Sequence, residues 1–199
     1  MLRYFTSREL SLKFNLNLAK WKRWSRAFLP PDPLGGLQSG YARQYSIDQA
    51  FCVYLGGVLV SELKFTLPEA GQILDDLKSW LGAAGIYLNA KSDQNLIDRQ
   101  LKPIRECLIL VGVIKKAEED RQRFCYAMSG ELSAQPAELE PETRAPLQIV
   151  KYPISVLPAL ARDNPWTHLR VLNMTNILAE FVSALGIDRG FYPAELFPK

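Results

Sequence analysis

The chain has 199 residues, 48% of them hydrophobic and 23% charged, with a net charge of +3. This is ordinary globular composition, enough for one large or two small domains with a buried core, so disorder is not the default expectation. No apolar run reaches the ~18 residues of a membrane span, and the first residues lack a signal peptide's apolar stretch, so a cytoplasmic protein with no membrane partner is expected.

Charge is unevenly placed. Residues 1–45 hold eight Lys/Arg (Arg3, Arg8, Lys13, Lys20, Lys22, Arg23, Arg26, Arg43) against Glu9 and Asp32, a local +6 that leaves −3 for the rest. A basic end beside a mildly acidic remainder points to contact with a polyanion.

In chain order, Phe5-Thr6-Ser7-Arg8-Glu9-Leu10 predicts a short helix. Thr6 and Glu9 form a reciprocal capping box, with Phe5 and Leu10 at the staple positions. Asn15-Leu16-Asn17 is turn chemistry, and Asn17 can cap a second helix over 18–28 that Pro30-Pro31-Asp32-Pro33 stops. At ~100° per residue, Leu18, Trp21, Trp24, Ser25 and Phe28 share one side. Lys22, Arg23 and Arg26 fall opposite, with Lys20 at the edge. Two short helices joined by a tight turn make a helix-turn-helix candidate whose second helix can anchor by one face and offer cations on the other.

The glycine-rich and then aromatic/basic stretch 34–45 suits a two-stranded hairpin, a wing. Ser46 with Gln49 is a second capping box, opening an apolar helix to about 59–61, and Thr66 with Glu69 is a third. In the helix that follows, Leu67, Ala70, Leu74, Leu77 and Leu81 form one stripe ending near Gly82-Ala83-Ala84-Gly85. Beyond, 107–114 and 124–128 are rich in strand formers, and 147–152 predicts a third strand. The proline- and glutamate-rich stretch 135–146 is an exposed loop. A last helix, about 175–185, carries Ile177, Leu178, Phe181, Val182 and Leu185 on one side and stops at Gly186. Residues 170–173 and 177–185 form a partner-facing helix or simply pack on the sheet, packing being preferred.

Chemistry-bearing residues are sparse. Cys52, Cys107 and Cys125 are scattered and flanked by apolar residues, which reads as buried reduced thiols rather than disulfides or a zinc site. His168 is the single histidine and sits in no nucleophile motif. Asp75-Asp76 and Glu118-Glu119-Asp120 read as solvated faces rather than metal or acid–base sites. No P-loop, GxGxxG or nucleophile elbow occurs. No catalytic residue, metal ligand or cofactor is assigned, and a non-enzyme is expected. An enzyme in residues 90–199 would need titratable groups converging near His168. Trp21 and Trp24, at helical spacing with Leu18 and Phe28, read as core rather than as platforms for single-stranded bases.

Taken in order, Phe5-Thr6-Ser7-Arg8-Glu9-Leu10, Trp21-Lys22-Arg23-Trp24, Leu29-Pro30, Gly40-Tyr41-Ala42-Arg43-Gln44-Tyr45-Ser46 and Leu63-Lys64-Phe65-Thr66-Leu67-Pro68-Glu69-Ala70 resemble the MerR family of transcription regulators. The resemblance covers about residues 4–80. The strands and last helix further along the chain make 90–199 a small α+β effector or dimerisation domain and the whole chain α+β. The resemblance itself implies an N-terminal MerR-like winged helix-turn-helix over 1–85, mostly α with a small β-hairpin wing. It implies sequence-specific binding to double-stranded DNA, with helix 18–28 in the major groove and wing 34–45 on the backbone, through Lys20, Lys22, Arg23, Arg26, Tyr41 and Arg43. It also implies a homodimer on palindromic sites, with RNA polymerase as a further partner. Lys22-Arg23-Trp24 stands where the family carries arginine-tyrosine-tyrosine, and Ala42 is an extra residue in the wing. The alternative is a protein-interaction module on a winged-helix scaffold that no longer binds DNA.

Overall fold

A computed structural model describes residues 4–32, 42–83, 85–87, 101–102, 107–114, 123–128, 131–132, 147–149 and 168–187. Helices and strands are mixed, as expected for an α+β chain, and two compact units are distinguishable: residues 1–91 with 180–191, and 92–179 with 192–199. Among the described residues no helix is long and apolar enough to cross a membrane.

The first unit begins with strand β1 (Phe5–Thr6) and helix α1 (Ser7–Lys13). Thr6 and Glu9 form the expected capping box, the Thr6 amide donating to Glu9 Oε2 at 2.7 Å and the Glu9 amide to Thr6 Oγ1 at 3.3 Å. Phe5 and Thr6, expected only as a helix start, also pair antiparallel with β2 (Gln44–Tyr45). Residues 34–41 of the expected wing, Tyr41 included, lie outside the described residues. A turn through Asn15, in the left-handed region at φ 50°, leads to α2 (Leu18–Phe28).

Helix α3 (Ile47–Ser61) opens with the Ser46–Gln49 capping box and is buried almost all round, as befits a central helix. Two others pack on it: α2, and α4 (Leu67–Ala83), whose start is tied by the reciprocal Thr66–Glu69 bonds. The expected α4 stripe is buried except for half-exposed Leu67, and it is widened by Ile73 and Trp80. The chain turns away at Gly85, φ 70°.

In the second unit, β4 (Leu108–Ile114) is central in a four-stranded sheet ordered β7-β5-β4-β8. β5 (Arg123–Met128) and β8 (His168–Asn173) flank β4 antiparallel, and β7 (Leu147–Ile149) joins β5 parallel. A separate ribbon pairs β3 (Leu101–Lys102) with β6 (Glu131–Leu132). The register sets buried Val111 against Tyr126 and buried Val113 against Phe124. Residues 170–173 are therefore neither a partner-facing nor a packed helix but part of a strand within the sheet, hydrogen-bonded to β4. Helix α5 (Met174–Leu185) follows directly, with residues 174–179 in this unit and 180–185 in the first. The Met174 amide donates to Cys107 O and the Cys107 amide to Thr175 Oγ1, both at 2.9 Å. Its expected apolar side is buried, and it stops at Gly186, φ 62°.

Candidate nucleic-acid interface

The position of α2 follows from what its inner face meets. Asn17 Oδ1 accepts the Ala19 amide at 2.8 Å and fixes the helix start. Trp21, 0% exposed, stacks on Phe14 with ring centres 5.7 Å apart and meets Tyr45 edge-on at 5.9 Å. Its Nε1 is buried without a hydrogen-bond partner, so packing alone keeps the indole there. Trp24 lies on Gly57 and Phe28 on Gly56, so closely that a Cβ at either glycine would overlap the ring. Buried Ser25 completes the face: the Tyr45 hydroxyl lies 2.9 Å from both the Ser25 and the Ser7 hydroxyls, joining α2, β2 and α1. On the far side of Phe14, Phe181 of α5 stacks at 5.6 Å and Tyr54 of α3 at 4.6 Å. The Tyr54 hydroxyl donates to Glu180 Oε2 at 3.1 Å. Burial and the neighbouring carboxylate raise the Tyr54 pKa, so the phenol stays protonated.

With that face fixed, the cations have no freedom to turn inward. Lys20, Lys22, Arg23 and Arg26 are all exposed. Lys20 Nζ rests 4.7 Å from the centre of the Trp24 ring, and Arg26 Nε donates to Lys22 O at 3.3 Å. Leu18 departs from expectation. The helical spacing puts it on the anchoring face, yet it is 37% exposed and lines the groove beside the helix. Arg43, half-buried, donates from Nη2 to Pro30 O at 3.0 Å, with its guanidinium 5.5 Å from the Tyr45 ring centre.

A groove of about 880 Å³ runs along this side, and Arg8, Lys22, Arg26 and Arg43 line it together with Leu18 and Asp32. Lys20 and Arg23 are not among its lining residues. Cations from α1, α2 and the segment before β2 thus converge on one concavity, a shape suited to a polyanionic strand. Arg8 is not a candidate on sequence grounds, because it sits inside a capping box and reads as part of a helix start. The available signal is electrostatic, a cation in a first turn, where the helix dipole disfavours it.

His168 is exposed on β8, Asp75 is exposed and Asp76 half-exposed on α4, and Glu118–Asp120 lie outside the described residues. Among the described residues no three His, Cys, Asp or Glu side chains converge as a metal site. Cys107 is buried and its thiol is pushed up to about 12 by burial. Cys52 is half-buried rather than buried, because α3 turns it toward the Phe28 carbonyl and Tyr87 at the edge of the core. Burial raises its pKa as well. The Cys125 side chain lies outside the described residues. Comparison with protein-family models gives no match, and comparison with curated proteins gives none either.

Proposed function

We propose that the chain is a sequence-specific double-stranded DNA-binding regulator of transcription whose N-terminal part is a MerR-like winged helix. In this reading α2 lies in the major groove and residues 34–45 lie on the backbone. Lys20, Lys22, Arg23, Arg26, Tyr41 and Arg43 touch the duplex. The observation carrying it is the division of α2: two tryptophans seated against other elements, and four exposed cations on the remaining surface. An exposed basic helix alone is commonly just a solvated face. A rigidly seated one, beside a groove that further cations line, has the form a duplex requires.

The cations on phosphates supply affinity and position, with release of counterions as the driving term. Base discrimination falls to the α2 side chains that reach the base edges. Of these, Arg23 offers guanine a rigid planar fork of two donors, where Lys22 offers only a point charge on a flexible stem. A cytoplasmic homodimer that meets RNA polymerase at a palindromic site completes the proposal, with the second unit as the effector or dimerisation part. Selection of duplexes from a random pool by the full-length chain tests it. An enriched motif with two-fold symmetry supports the reading. Failure to retain any duplex at low salt refutes it and favours the protein-interaction module.

A further inference from the structure

Resting on the DNA reading of α2, we infer that the groove beside that helix seats one strand of the phosphate backbone, and that Arg8 is a phosphate ligand in it. Four cations line the groove from three separate places: Arg8 in the first turn of α1, Lys22 and Arg26 in α2, and Arg43 before β2. Cations scattered to keep a surface soluble have no reason to face one concavity from three elements.

Two of the four are oriented in advance. Arg43 is held by Pro30 O and the face of Tyr45, and Arg26 by Lys22 O. Holding a guanidinium before the ligand arrives removes part of the ordering cost of binding. Arg8 has no such local use. It is exposed, it takes no part in the Thr6–Glu9 capping bonds, and its charge opposes the dipole of its own helix. A phosphate in the groove would relieve that opposition and give Arg8 a partner whose paired oxygens fit its planar fork.

The cations of α2 then divide their work. Lys22 and Arg26, spaced i and i+4, serve the backbone strand in the groove with Arg8 and Arg43. Lys20 and Arg23, absent from its lining, are left for the rest of the duplex surface. Arg8 contributes affinity and register, and it carries no sequence preference.

The test is binding of the full-length chain to a selected duplex across a range of salt, comparing wild type with Arg8→Gln, Arg8→Lys and Lys78→Gln. Lys78 is an exposed cation on α4, so Lys78→Gln removes the same charge elsewhere. One fewer phosphate neutralised lowers the slope of log K against log salt by about 0.9. That reduction is expected for Arg8→Gln, with unchanged preference between selected and scrambled duplexes. Arg8→Lys should keep most of the slope, and Lys78→Gln should match wild type. If wild type binds and Arg8→Gln keeps its slope, or loses no more than Lys78→Gln, the groove assignment is overturned and the DNA reading stands. If wild type binds no duplex, both fall together.

Discussion

The seating of Trp24 on Gly57 offers the sharpest stability test. A Cβ placed on Gly57 would overlap the Trp24 ring, approaching Cε3 to 2.6 Å and Cη2 to 2.8 Å, and the ring is itself only 4% exposed. Overpacking a filled core costs about 1–3 kcal/mol, and a rigid indole with no outlet belongs at about 3. Against this, alanine gains about 1 kcal/mol over glycine in a helix interior. Gly57→Ala is therefore expected to destabilise by about 2 kcal/mol, the difference between those opposing terms. Gly71 on α4 is the control, because a Cβ there meets nothing within 4 Å, and Gly71→Ala should stabilise. In urea, with a slope of about 2 kcal/mol per M, the midpoint falls by about 1 M for Gly57→Ala and rises by about 0.5 M for Gly71→Ala. Tryptophan fluorescence reads both transitions. If Gly57→Ala raised the midpoint as Gly71→Ala does, Trp24 would not lie on α3, and the outward direction of the α2 cations would lose its cause.

Tyr45→Phe removes the hydroxyl that Ser7 and Ser25 share and leaves buried Ser25 short of a partner, so a loss of about 2 kcal/mol is expected in the same urea assay. Thr6→Ala should cost about 1 kcal/mol through the α1 cap, and a midpoint equal to wild type would show that the cap is dispensable. Cys107 binds its proton more tightly folded than unfolded. From this thiol, stability is intact below the ordinary value of 9.0 and is lost as pH rises from there toward about 12. Unfolding midpoints measured across that window should fall more steeply for wild type than for Cys107→Ala, and parallel curves would contradict the assignment.

What the sequence makes legible is local. All three capping boxes, the Asn17 cap and the α2 boundaries depend on residues two to four apart, and those patterns survive any tertiary context. Non-local features are hidden. Gly56-Gly57 reads as part of an apolar helix, because nothing along the chain says that Trp24 and Phe28 will press on it. Phe181 stacks on Phe14 from far along the chain, an arrangement no periodicity announces. β8 is not legible because His168 and Arg170 interrupt its apolar residues, and only the ladder to β4 makes the segment a strand. Arg8 is visible as a charge but not as a wall of a groove, since that requires Arg43 and α2 in place beside it.

The central claim is that the exposed cations of α2 meet DNA phosphates, and salt-dependent duplex binding by the full-length chain tests it most directly. Wild type should lose affinity steeply as salt rises. The triple variant Lys22→Ala/Arg23→Ala/Arg26→Ala should flatten the slope by about 2.7, or about 0.9 for each cation removed. A triple variant that binds with the slope of wild type would show that DNA, if bound, is held elsewhere.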